Sequence, residues 1–250
     1  MTMAELPIRY SPRRLARMCG ALYLVCAAAG LFSEGYVRGS LLVSGDAAAT
    51  AHNLLASGQL YRLGGAAQLV AICCDVAIAL LLYALLAPVN RTLSRLAAAF
   101  RLMFAAILGA SLVFHYLPLM LLGDAAYLRA FTPDQLHALV MVAARLYGHG
   151  FLVANVFFGL HCILIGGMIA ASRFLPRIVG WALLVAGICY LINSFANLTE
   201  PALGGLLFPY ILLPGLVAEW SLALWLALVG LNEARWDARS AQDQPSAHGA

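Results

Sequence analysis

Six apolar stretches, at about residues 15–33, 63–87, 96–122, 147–171, 176–198 and 207–231, limit what this chain can become. Each reaches the roughly 20 residues that an α-helix needs to cross the hydrocarbon core of a bilayer. Inside lipid every backbone N–H and C=O must find its partner within the protein, and a helix meets that demand alone. The predicted fold is therefore all-α: a polytopic integral membrane bundle of six transmembrane helices. Residues 1–232 read as a single six-helix domain, and 233–250 as a polar tail, disordered after Trp236.

Composition agrees. Only 10% of the residues are charged and 63% are apolar, with mean hydropathy +0.88, whereas a soluble domain carries about 25% charged residues. Such a chain could not clothe a water-facing surface. That excludes a nucleic-acid binder, a disordered scaffold and an ordinary cytosolic enzyme. All fifteen basic residues are arginine. Without lysine there is no side-chain amine for a retinal or pyridoxal Schiff base. The six cysteines sit inside apolar stretches and read as small hydrophobes, since none has zinc-site or disulfide-framework spacing.

Arginine placement gives a predicted orientation. Arg9, Arg13, Arg14, Arg17, Arg91, Arg95, Arg173, Arg177, Arg235 and Arg239 fall on one side; Arg38, Arg62, Arg129 and Arg145 fall on the other, beside Glu34, Asp46, Asp124, Asp134 and Glu200. Basic residues accumulate in cytoplasmic loops, so both termini are expected in the cytoplasm. Arg101, one to two turns inside the third span, is expected to snorkel to the cytoplasmic face. The first apolar stretch is long for a signal peptide and lacks a clean small-x-small cleavage site, so it reads as a retained span.

The outward loops carry short interfacial helices. Asp46 to Ser57 has an acidic start and Gly58 as its stop. Thr132-Pro133-Asp134-Gln135 is a capping box that opens a helix into the fourth span. Such amphipathic pieces are expected to lie at the interface and lid the bundle. Pro209 and Pro214 are expected to kink the sixth span and to free the Tyr210 carbonyl. No internal repeat supports an inverted-repeat transporter design.

Several motifs carry a family likeness. They are Tyr36-Val-Arg38-Gly39, Gly45-Asp46, Arg62-Leu-Gly64, Cys74-Asp75-Val-Ala-Ile-Ala-Leu80 and Pro88-Val-Asn-Arg91, followed by Ala99-Phe-Arg101, Phe158-Gly159-Leu-His161 and Leu175-Pro176-Arg177-Ile-Val-Gly180. Their order, from about residue 11 to 231, resembles the bacterial multi-pass membrane family called domain of unknown function 4386. The resemblance implies an integral protein of the bacterial inner membrane and carries over no biochemical activity.

Ionisable groups at bilayer depth are costly and so mark candidate sites. By helical rise, Glu219 and Asp75 lie about 18 Å below the outer ends of their spans, His161 about 20 Å, His115 about 10 Å and Asn193 about 8 Å. Asp75, His115, His161, Asn193 and Glu219 are therefore the candidates for a polar pocket in the middle and outer half of the bundle. Arg101 and His115, fourteen residues apart, share a helix face. Asn193 and Asn197 can line one seam. Arg38, Asp46 and Arg62 form a second candidate group, an outer-face ion pair or a cradle for a lipid headgroup.

Three histidines in the bundle could ligate zinc or haem, but no HExxH pattern and no paired-histidine spacing on two helices is present. Neither metal nor cofactor is expected, and catalytic residues are not assigned. The favoured function is a binder or carrier of a lipid or small hydrophobic molecule in an outward-facing polar pocket. The alternatives are an intramembrane acid–base enzyme acting on a lipid or isoprenoid, and a non-catalytic component of a membrane complex. The expected partners are the lipid bilayer and, on the favoured reading, a lipid or small hydrophobic ligand; no nucleic acid is expected, and protein partners stay open.

Overall fold

The computed structural model describes residues 11–243. Arg9 and residues 244–250, read above as part of the basic cluster and of the disordered tail, lie outside the described residues. Nine helices follow in chain order among the described residues: α1 (Pro12–Leu41), α2 (Ala47–Ala56), α3 (Gly58–Leu86), α4 (Arg91–Leu121), α5 (Pro133–Ser172), α6 (Arg177–Thr199), α7 (Pro201–Leu207), α8 (Tyr210–Val229) and α9 (Glu233–Asp243). Six of them, α1, α3, α4, α5, α6 and α8, are long and apolar enough to cross a membrane. No strand occurs among the described residues.

Local chemistry accounts for the helix starts. Ser11 caps α1, its Oγ accepting the Arg14 N–H at 3.3 Å with Pro12 at the first helical position. Asp46 caps α2 by accepting from Ala49 N at 2.8 Å. Thr132 and Gln135 complete the predicted capping box, at 3.3 Å and 2.9 Å. Gly58 behaves differently from the reading above: it opens α3 rather than ending in a loop. Pro214 also differs, because it sits in the first turn of an α-helical run starting at Leu213. A missing N–H costs nothing there, so this proline starts the helix and does not kink it.

Each span packs on the next, α1 on α3, α3 on α4, α4 on α5, α5 on α6 and α6 on α8, and α8 closes back on α1. The result is a ring of six helices around a shared centre. Glycines let two of these seams, α5–α6 and α1–α8, reach backbone contact; the first does so at two points. A Cβ built on Gly187 would stand 2.5 Å from the Gly159 carbonyl, and one on Gly180 would stand 2.6 Å from that of Gly166. The closing α1–α8 seam is tighter still, with a Cβ on Gly20 2.2 Å from Ala227 N. In lipid, where apolar burial gives little drive between helices, such close approach supplies packing.

The α2 and α7 helices and the 3₁₀ turn Ala126–Ala130 gather at one end of the ring, the loop end. The opposite end has two short turns, 87–90 and 173–176, together with α9. At 40 residues α5 spans about 60 Å, twice the hydrocarbon thickness. The amphipathic piece after Thr132, expected to lie flat, is instead the upright extension of α5. Val140 on that extension packs with Leu41, Leu54 and Tyr61 in a small separate core, and this packing holds it upright.

The tail also departs from expectation, because α9 is helical to Asp243. Asn232 Oδ1 caps it by accepting from Arg235 N at 3.1 Å, and the Trp236 indole donates to the Leu85 carbonyl at 2.9 Å. The local cap and the tertiary Trp236 bond supply the ordering that a polar sequence lacks by itself.

Candidate functional site

Four spans meet at one guanidinium in the middle of the ring. Arg101 on α4 donates from Nε and Nη2 to Asp75 Oδ1 on α3, at 2.9 Å and 2.6 Å. Its Nη1 donates to the Tyr23 hydroxyl on α1 at 3.1 Å and lies 3.1 Å from His161 Nε2 on α5. The guanidinium also stands 4.6 Å from the Tyr23 ring centroid and 5.3 Å from that of Phe158, within reach of a cation–π contact. Arginine has only donors, so His161 Nε2 must accept. The proton therefore sits on Nδ1, which donates to the Ala97 carbonyl at 2.8 Å. This histidine is an orienting acceptor with both nitrogens committed.

Arg101 does not snorkel; it is 1% exposed. The reason is its depth. The α4 helix begins at Arg91, five residues before the predicted span, so Arg101 lies about 15 Å along it. Near a bilayer centre a charge without a partner is expensive, and Asp75 is within reach.

Beside this cluster a cavity of about 290 Å³ is lined by residues from all six spans. Phe104, Phe151 and Phe158 form an apolar wall, and Asp75, Arg101, Glu34 and Glu219 supply ionisable groups. The α8 residue Glu219 accepts a short hydrogen bond from the Tyr190 hydroxyl on α6 and pairs with no cation among the described residues. Gln68 on α3 and Asn155 on α5, 4% and 5% exposed, line the same cavity. Neither side chain makes a hydrogen bond to another described residue. Leu31 and Leu216 line the cavity too and are exposed on the apolar flank of the ring.

The structure thus brings Asp75 and Glu219 to one cavity and sets His161 behind Arg101 at its edge. His115 and Asn193 lie elsewhere. His115 stacks on Tyr61 at 4.0 Å between centroids and its Nε2 lies 3.0 Å from the Tyr61 carbonyl. Asn193 is tied to Asn197, whose Nδ2 donates to the Asn193 carbonyl at 2.8 Å and to its Oδ1 at 3.2 Å.

The group Arg38, Asp46 and Arg62 does not assemble. Arg38 lies on a π-helical stretch, Leu31–Arg38, within α1 and pairs with Glu34 at 3.1 Å. It donates to the Ala144 carbonyl at 3.4 Å and covers the Tyr147 ring at 4.2 Å, while the Tyr147 hydroxyl donates to Glu34 at 2.7 Å. The predicted first span stops at residue 33, whereas the helix runs to Leu41. That extension puts Glu34 one turn from Arg38 and leaves Asp46 to cap α2. Arg62 is exposed, with no ion pair among the described residues.

Tyr23, Gln68, Arg101 and Tyr190 are the residues of this candidate site that sequence reasoning missed. Gln68 and Arg101 carried a signal, being polar groups inside apolar spans; the two tyrosines carried none. Among the described residues no group of three or more His, Cys, Asp or Glu is placed to hold a metal ion, and all six cysteines are free.

Comparison with curated proteins finds no match, and neither does comparison with solved structures. A family model does match, over residues 18–230, and so takes in the ring, the Asp75–Arg101 cluster and the cavity. The chain belongs to the family described as Domain of unknown function (DUF4386).

Proposed function

We propose that this protein binds or carries a lipid or small hydrophobic molecule whose polar group enters the central cavity. The observation that carries the reading is the wall of that cavity: three phenylalanines face two buried amides, Gln68 and Asn155, whose side chains make no hydrogen bond to another described residue. Ligand sites are mostly apolar with a few converging polar groups, commonly of 300–1,000 Å³. At about 290 Å³ the cavity suits a small molecule or one end of a lipid. A buried unsatisfied amide costs roughly 1–3 kcal/mol, and a hydroxyl or carbonyl of the ligand offsets that cost. Leu31 and Leu216, at once lining and exposed, offer a lateral way in from the lipid.

The setting that goes with this reading is the bacterial inner membrane, with both termini cytoplasmic. The support for that orientation is the arginine excess at the short-turn end.

Native mass spectrometry of gently solubilised protein tests the binding reading. The wild type should retain a small hydrophobic molecule or lipid. Asn155→Phe, which fills the cavity, and Glu219→Gln should lose it while eluting as the same monodisperse species. A wild type that carries nothing, or variants that retain as much as the wild type, would overturn the reading.

A further inference from the structure

A second feature lies at the short-turn end, far from the central cavity. Beneath α9 a crevice of about 690 Å³ is lined by Arg173, Arg177, Arg235 and Arg239. No acidic side chain lines it among the described side chains, which end at Gln242, and within that range none of the four arginines has a carboxylate within 4.0 Å. Asp237, on the same helix, is exposed and outside the crevice. Like charges gathered in this way repel one another, so an anion between them is stabilised.

The crevice is built, not merely a coincidence of flexible side chains. Its helix is fixed by the Trp236–Leu85 bond, and Arg235 Nη1 donates to the Arg173 carbonyl at 2.9 Å. Arg173 itself ends α5 in the left-handed region, with φ 62°. A non-glycine residue there is strained by its Cβ, and glycine is the usual occupant. Arginine at this corner gives up backbone comfort and places a guanidinium on the crevice wall.

A second crevice of about 590 Å³ adjoins the first, sharing Arg173, Leu175 and Arg235. Trp225 and Val229 line this one and are also exposed on the flank of α8. Its acid, Glu233, accepts the Arg13 backbone N–H at 3.3 Å. A phosphate site for a soluble ion needs no apolar continuation; a phosphate carried on acyl chains does. Guanidinium pairs with phosphate in bidentate fashion, and basic pockets at the cytoplasmic ends of spans suit anionic headgroups.

We propose that the arginine crevice beneath α9 binds the phosphate of an anionic phospholipid, with an acyl chain leaving past Trp225 and Val229. The test uses the full chain in nanodiscs of phosphatidylcholine doped with phosphatidylglycerol, the retained lipids being counted by native mass spectrometry. Wild type should hold phosphatidylglycerol in preference to phosphatidylcholine. The double variant Arg177→Gln/Arg239→Gln removes two guanidiniums that make no hydrogen bond to a described side chain or backbone, and should bind it about thirtyfold more weakly, from about 1 kcal/mol per arginine. Arg62→Gln, at the loop end, should change nothing. Equal retention by wild type and double variant would overturn the proposal. So would displacement by millimolar inorganic phosphate without any lipid preference, which is the behaviour of a free-anion site. Loss of the central-cavity molecule in Asn155→Phe leaves this readout untouched, so the two readings stand or fall separately.

Discussion

Asp75–Arg101 and Glu34–Arg38 are both acid–arginine pairs inside the membrane-spanning part of the chain, yet they are built for different work. The first joins two spans; its side chains are 6% and 1% exposed, and Tyr23 and His161 surround the guanidinium. The second joins one helix to itself at i and i+4, with 29% and 11% exposure. A deep pair offsets the desolvation of two charges only when its remaining donors and acceptors are met, and it fails severely when one member is lost. A shallow pair within one helix is worth little more than its local geometry. The contrast teaches which polar residues hold the ring and which trim its edge.

Breaking the deep pair should have the largest effect. Arg101→Met leaves Asp75 buried without a cation and should cost about 3–5 kcal/mol, read as thermal unfolding of the solubilised protein. Adding Asp75→Leu to it should recover most of that loss, because the unpaired charge is gone. If the single and the double variant are equally unstable, the pair is not the unit described here. Tyr23→Phe comes next. It strips one acceptor from the guanidinium and should cost about 1.5–3 kcal/mol in the same assay.

Glu34→Gln should cost less, about 1 kcal/mol, because Arg38 keeps the Ala144 carbonyl and the Tyr147 ring. Salt sharpens this difference. Between 0.1 M and 1 M the screening length falls from about 10 Å to about 3 Å, so the Glu34→Gln penalty should shrink while that of Arg101→Met holds. The smallest effect is expected from Arg62→Gln, which breaks no ion pair and should leave the melting temperature unchanged.

How much of this could be read from the residues alone depended on what lipid demands. The spans were legible because nothing but twenty-odd apolar residues will cross, and the caps at Ser11, Asp46 and Thr132 because they act within four residues. Asp75 and Glu219 stood out because a carboxylate in hydrocarbon needs an explanation. Arg101 was misplaced for want of five residues of helix at its start, which turned a deep charge into a shallow one. The Arg38 partner was misplaced for a matching reason at the other end of α1, where the helix continues past residue 33. Tyr23 and Tyr190 could not be singled out. A tyrosine is ordinary in a span until the neighbour that uses its hydroxyl is known, and those neighbours are 78 and 29 residues away.

Asp75 and Arg101 belong to spans that follow one another, joined by the short turn 87–90. The two charges therefore sit on one helical hairpin, and their pairing asks for no other span. The seam at Gly20 and Ala227, by contrast, joins the first of the six spans to the last. Charge is settled within one hairpin, whereas the cavity, lined from all six spans, exists only when the ring is closed.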